Sequence, residues 1–414
     1  MPVLGLPRRA AGRMYVIGMN LPGLARLPFR APVRGASRTH RDIPTGSHVR
    51  WRYTLERSLL LAGPVLTVGF LVRACLRHGV AFDFMHASYM HGARDVWAGR
   101  SPYHRGDVAA GLAFLYPPLT AYAITPFLVL PRLVTEVVVS LLGAAACFGA
   151  LWVAGVRDRR CYLAAFGSPV LFFSIQSGNI SSLIILGAAL VWRYRDRKLA
   201  ALGAGVLVAL KLYAWPLLLF FLVTRRIRAA VLAGASSVAA AFLPWAVLGF
   251  AGLTSYPGLL SARTHIEQGG AYTIGALAAK VVPWSVAYGI TYALGALVIV
   301  WMTRNRSEAQ VFAAALGLTV LLAPLALYDY FGVLFVVLAV MQRGFGWQWT
   351  ALLLLWLAPS VGQASSWQLV LVLVVVGLSW LSATRSDQAA TEARARPDAV
   401  VRRLVELRAA LGIP

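Results

Sequence analysis

Residues 137–156 read VVVSLLGAAACFGALWVAGV, a stretch without a single charged side chain. A run of roughly 18 or more uncharged residues is what a bilayer core demands of a helix. Leu59 to Leu71 and Leu369 to Leu381 are similarly apolar. In lipid each backbone N–H and C=O must find its partner within its own segment, so these runs are helices. Barrel-type alternation is absent. Length alone would suggest about two or three soluble domains. With 59% hydrophobic and 13% charged residues among 414 and a mean hydropathy of +0.69, water could not surround a compact fold. The sequence therefore specifies an all-α polytopic transmembrane helix bundle.

The formal charge of +24 superficially suggests nucleic acid, but its placement does not. Arginines gather before Leu59, in short clusters between apolar runs, and after Ser382, the positive-inside pattern that sets orientation in a membrane. Membrane lipids are the expected partners of these basic flanks, and nucleic acid is not. Lysine is confined to Lys198, Lys211 and Lys280. Cys75, Cys147 and Cys161 lie in or beside apolar segments and form neither a metal motif nor a disulfide framework.

The chain divides into three parts. Residues 1–57 are rich in Arg, Pro and Gly and read as a disordered cytoplasmic tail without a secretory signal. Residues 58–384 form the membrane domain, with a first extracytoplasmic loop over about 77–114. Residues 385–414 form a second cytoplasmic tail, basic and amphipathic over 389–411. After the loop, apolar segments follow near 115–131, 133–155, 162–175, 179–192, 199–223, 229–250, 272–301, 309–325, 328–341, 349–361 and 367–382. Breaks fall at Pro131, at Gln176–Asn179 and at Trp215–Pro216. Non-helical backbone at membrane depth is tolerated only around a protein-lined cavity. About 10 to 12 crossings of a plasma membrane, short broken ones included, with both tails inside, fit the basic anchors.

The first loop reads DFMHASYMHGARDVWAGRSPYHRGD from Asp83, then AFLYPPLTAYAITPFLVLP. Asp83 stands at the membrane boundary just past the first span. If the stretch is helical, Asp83, His86 and Met90 share a face, with His91 and Arg94 nearby. A carboxylate held there suits general-base work on a hydroxyl, because partial burial raises its proton affinity. It equally suits an N-cap of the following helix.

Taken together, these motifs resemble glycosyltransferase family 87. The resemblance rests on an Asp just after the first span, a helix containing aromatics, then GRSPY, then YPPL opening the next span. It continues in QSGNISSLIILGAALVWRYRDRK and in LAALGAGVLVALKLYAWPLLLFFLVTRRIRAA, over roughly residues 59 to 250. Here Pro216 falls two places later after Lys211 than in the family pattern. The resemblance implies a GT-C membrane fold with its active site on the extracytoplasmic side. It implies inverting transfer of a sugar, typically mannose, from a polyprenyl-phosphate donor to a glycolipid or cell-wall glycan. By residue match, Asp83 is the base that deprotonates the acceptor hydroxyl. No nucleotide-sugar domain and no cofactor are required, and a divalent-metal requirement stays open.

A departing polyprenyl phosphate needs fixed cationic donors in a water-poor site. Lys211, Arg94, Arg263 and His265 are the candidates for the donor phosphate. Lys211 is the most informative, because a lysine inside an apolar run is expensive unless paired or lining a cavity; its bland alternative is snorkelling to the headgroups. Gln176 and Asn179 sit at a helix break, where they either bond sugar hydroxyls or satisfy freed backbone groups. Gln268, His86 and Tyr116 are further sugar or acceptor candidates, although a Tyr at the interface needs no ligand. Asp329, in LAPLALYDYFGVL, reads as a second acid, an ion-pair partner for a cavity cation, or a cap. His86, His91 and His104 share the loop with Asp83, Asp95 and Asp107, but their spacing matches no metal motif and no metal site is expected.

A transporter or lipid flippase of the cell envelope is the main rival, since broken helices and a buried lysine suit transport too. Against it stand the lack of an internal duplication and the long aspartate-led loop. A non-catalytic scaffold is the third reading.

Overall fold

The computed structural model describes residues 47–78, 85–104, 106–109, 113–304, 306–342, 344–358 and 365–381. The chain divides into units 1–50 and 51–414, and the helical body is the second. Asp83, the side chain of His86 and the stretches 1–46 and 382–414 lie outside the described residues.

All regular structure among the described residues is helical. Helix α1 covers Ser47–His78, so residues 47–57, expected to belong to the tail, open a helix instead. The reason is local: after Gly46 no glycine or proline interrupts the chain until Gly63. The first loop contains a π-turn at Met85–Tyr89 followed by α2, Met90–Trp97. Then come α3 (Pro118–Ile124), α4 (Arg132–Val153), α5 (Arg159–Gly167), α6 (Pro169–Ser177) and α7 (Ser181–Arg193). The chain continues through α8 (Lys198–Leu210), α9 (Leu217–Val223), α10 (Ile227–Val247), α11 (Tyr256–Glu267) and α12 (Trp284–Met302). It ends with α13 (Glu308–Leu321), α14 (Val333–Met341) and α15 (Ser366–Leu381).

Prolines set several starts. Pro117 and Pro131 occupy extended N-cap positions ahead of α3 and α4, and Pro169 is the first residue of α6. A proline there lacks only an N–H that the helix leaves unpaired anyway.

Among the described residues, four helices are long and apolar enough to cross a membrane: Thr54–Arg73 within α1, α4, α10 and α12. Helices α6 and α7 make a fifth only if counted together, and they are bent by 119° at their junction. Seven further apolar helices among the described residues are shorter. Together these match the expected helical bundle with short broken members, and the breaks fall within the longer apolar runs. The 199–223 run splits at Lys211–Pro216 into α8 and α9, and the 272–301 run is interrupted at Pro283 ahead of α12.

The long helices expose large apolar side chains, among them Leu61, Val65, Leu141, Val231, Leu243 and Leu297. Such a surface suits hydrocarbon and not water. Inside, the broken helices pack on one another around Phe220, Phe312, Phe335 and Trp349. Helices α8 and α10 approach closely at Gly205, where a Cβ would lie 2.4 Å from the Ala233 carbonyl oxygen and 2.6 Å from the Ser237 nitrogen. Ser236 Oγ donates to the Leu202 carbonyl across the same contact, at 2.9 Å. Van der Waals contact between small residues drives helix association where no hydrophobic effect operates.

Candidate functional site

Three interruptions of helix converge at one place. The first is the α6–α7 corner. Helix α6 ends on Gly178 at φ 60°, ψ 28°, a left-handed C-cap that glycine enters without a Cβ penalty. The turn presents Asn179 and then Ser181 at the start of α7. The second is the end of α8, where Lys211 adopts extended backbone at φ −151°, ψ 106° and its side chain leaves the helical register. Pro216, just before α9, prevents an immediate return to regular helix. The third is the 3-10 turn Tyr328–Gly332, which carries Asp329 and leads into α14.

At this junction Lys211 Nζ donates to Ser181 Oγ at 2.6 Å, to Asn179 Oδ1 at 3.2 Å and to Asp329 Oδ2 at 3.3 Å. Ser181 Oγ in turn donates to Asp329 Oδ2 at 2.6 Å. Asn179 Oδ1 also accepts from the Tyr89 hydroxyl at 3.2 Å and from the Ser181 backbone N–H at 3.1 Å. An ammonium has three N–H donors, and here each has an acceptor. Lys211 is 3% exposed and Asp329 5%, so the lysine does not snorkel; it is a buried, paired cation. Aromatic rings complete its surroundings: the centroid of Tyr330 is 4.0 Å from Nζ, that of Tyr213 5.0 Å and that of Tyr116 5.8 Å. Ring faces attract a cation most strongly when both are desolvated.

This junction forms one wall of a cavity of about 280 Å³, lined by Tyr116, Lys211, Tyr213, Tyr256, Arg263 and Tyr330 among others. Arg263, on α11, is buried. It donates to the Val108 carbonyl at 3.4 Å and pairs with Glu267 one turn on. Its Nε is buried with no hydrogen-bond partner among the described residues, and a buried donor left unpaired asks for an explanation. The first loop is tied to this wall. Tyr103 donates through its hydroxyl to the Tyr116 carbonyl at 2.8 Å, and Tyr256 to the Leu115 carbonyl at 2.9 Å. Tyr89, six positions after Asp83, lies fully buried in the junction.

The family model of glycosyltransferase family 87 matches residues 114–327, more than half of the chain. The chain belongs to that family. No curated protein and no solved structure matches it. The matched stretch of this glycosyltransferase carries Tyr116, Asn179, Ser181, Lys211 and Arg263. It begins after the loop that bears Asp83 and stops two residues short of Asp329.

Of the residues singled out in the sequence, the structure gathers Tyr116, Asn179, Lys211 and Asp329 at the junction and puts Arg263 on the same cavity. Arg94 on α2 and His265 on α11 are exposed and do not line that cavity. Gln176 and Gln268 are half-buried outside its lining.

Residues that sequence reasoning missed are Ser181, Tyr89, Tyr213, Tyr256 and Tyr330. Ser181 carried a signal, since it directly follows the Gly178–Asn179 break. The tyrosines carried none beyond their aromatic character.

Asp95 on α2 belongs to a separate cluster in the first loop. It is buried, yet Arg100 Nη2 donates to its Oδ1 at 2.9 Å and His104 Nε2 lies 2.8 Å from its Oδ2. Burial works to raise its pKa, but the hydrogen bonds from His104 and Arg100 outweigh that and hold the carboxyl below the ordinary carboxylate range.

Proposed function

We propose that this glycosyltransferase moves a sugar, mannose or a related hexose, from a polyprenyl-phosphate donor to a glycolipid or cell-wall glycan on the extracytoplasmic side. The observation that carries the reading is the cavity beside the first loop, with its aromatic walls and the unpartnered donor of Arg263. Tyrosine faces suit a sugar ring, and an idle guanidinium N–H suits a phosphate oxygen. A donor already delivered in the membrane also agrees with the all-helical architecture.

In the proposed step Asp83 accepts the proton of the acceptor hydroxyl. The freed oxygen attacks the anomeric carbon from the face opposite the phosphate, forming the new glycosidic bond. The bond from that carbon to the phosphate oxygen breaks with its electron pair, and the polyprenyl phosphate departs with configuration inverted. Arg263 supplies a charge-assisted contact to the leaving phosphate. Lys211, whose donors are all engaged, acts at one remove by fixing the tyrosine wall and the Asn179 turn. Support for a role of the first loop comes from Tyr89, which runs from that loop into the junction.

Membranes containing the chain are incubated with radiolabelled polyprenyl-phospho-sugars, and the extracted lipids and glycans are followed for label. The expected result is transfer of label by the wild type and its abolition by Asp83→Asn at unchanged expression. Undiminished turnover by Asp83→Asn removes the base assignment. Labelling from a nucleotide sugar in the absence of any lipid-linked donor removes the donor assignment.

A further inference from the structure

The first loop gathers a second set of chemistry-bearing side chains, apart from the Lys211 cavity. His91 and Asp95 stand at i,i+4 on α2, a spacing that puts both side chains on one helix face. His104 returns over them from the loop. Its ring stacks on that of His91 with centroids 5.5 Å apart, and its Nε2 is 2.8 Å from Asp95 Oδ2. His91 Nε2 is 3.8 Å from the same oxygen. One ligand atom from each residue lies within 4.8 Å of the other two. We propose that His91, Asp95 and His104 form a binding site for one divalent transition-metal ion of the zinc class, which staples α2 to the loop bearing Tyr103.

The donor set is two imidazole nitrogens and one carboxylate oxygen, which suits zinc and its neighbours and not magnesium or calcium. Zinc bonds of about 2.0–2.1 Å in a tetrahedron keep ligand atoms roughly 3.3 Å apart. That separation lies between the 2.8 Å and 3.8 Å observed from the two imidazoles to Asp95 Oδ2. Modest ring movements bring all three to bonding distance. The Asp95 carboxylate is divided to match: Arg100 occupies Oδ1 at 2.9 Å, which leaves Oδ2 to the imidazoles.

The surroundings add a support that a plain ion pair does not need. His91 Nδ1 lies 3.7 Å from Asp107 Oδ2, so the nitrogen turned away from Asp95 faces a second carboxylate. Ligating histidines are commonly oriented in this way, with the other ring nitrogen turned to a carboxylate. Access is open, since the His91 and His104 side chains are 48% and 44% exposed over an Asp95 that is 3% exposed. A bound ion takes the place of the contact between His104 Nε2 and Asp95 Oδ2. Because Tyr103 precedes His104 and donates to the carbonyl of the cavity-lining Tyr116 at 2.8 Å, an ion here steadies a segment bonded to the cavity wall.

The full chain is purified in detergent with an affinity tag free of histidine, stripped with a chelator and titrated with Zn2+. Metal content after gel filtration and thermal unfolding are then read. The expected result is one Zn2+ per chain and a raised unfolding midpoint, with Co2+ giving visible d–d bands in the same site. His91→Ala and His104→Ala, at exposed positions the fold tolerates, each weaken binding at least 100-fold. Asp107→Asn weakens it by about 10- to 100-fold. Substoichiometric, unsaturable zinc uptake by the wild type overturns the proposal. So does a His91→Ala/His104→Ala double variant that binds zinc as the wild type does.

Discussion

The Lys211–Asp329 pair and the Arg160–Asp158 pair use the same chemistry in opposite settings. The first lies at the meeting of three broken helices, with its side chains 4% and 6% exposed. The second lies at the start of α5, with Arg160 Nη2 2.8 Å from Asp158 Oδ2 and side chains 41% and 27% exposed. Asp158 also caps α5 by accepting from the Arg160 backbone N–H at 3.0 Å. Solvent screens the second pair far more than the first. The buried pair therefore cannot lose one member without stranding the other, whereas the solvated pair can.

The largest effect should come from breaking the buried pair on one side. Asp329→Asn leaves the buried Lys211 ammonium without its counter-charge, at an expected cost of about 3–5 kcal/mol. Thermal unfolding in detergent measures it. Lys211→Met combined with Asp329→Leu removes both charges, and the combined variant should recover most of that loss. A single variant within about 1 kcal/mol of wild type would erase the contrast with the solvated pair.

A smaller effect is expected at Asp158. Asp158→Asn keeps a capping oxygen and loses only the charge, so it should cost under about 1 kcal/mol at neutral pH. Its pH dependence sharpens the comparison. The Arg160 hydrogen bond, working against partial burial, holds the Asp158 carboxyl below its ordinary range. A carboxylate depressed by folding stabilises the native state above its unfolded value of about 3.9 and loses that contribution as pH falls through the folded value. Unfolding midpoints of wild type and Asp158→Asn should accordingly converge below about pH 4.

The fold was legible where hydropathy alone decides. The run at 137–156 sits within α4 but for its last three residues, and the breaks read at Pro131 and Gln176–Asn179 are a helix start and a left-handed C-cap. The number of full-length helices was not legible, because an apolar run looks the same whether its helix is straight or broken. Lys211 illustrates the point: it interrupts an apolar run only as one charged letter, yet the backbone there leaves the helix altogether. At the candidate site, Lys211, Asn179 and Asp329 were visible as polar residues in apolar surroundings. Their meeting, and the recruitment of Ser181 and Tyr330, depends on three corners more than 100 residues apart at the extremes, which no local spacing encodes. His91, Asp95 and His104 were legible as members of one loop, but their approach to within 4.8 Å depends on how that loop folds back.

The chain contains three lysines, and the engagement of Lys211 makes it unlike the other two. Lys198 and Lys280 are exposed, while every N–H of Lys211 is spoken for. An amine-reactive reagent should therefore modify Lys198 and Lys280 and pass over Lys211 for as long as the junction is closed. Peptide mass spectrometry of that one lysine would then serve as a native reporter of the junction's opening, with no probe introduced.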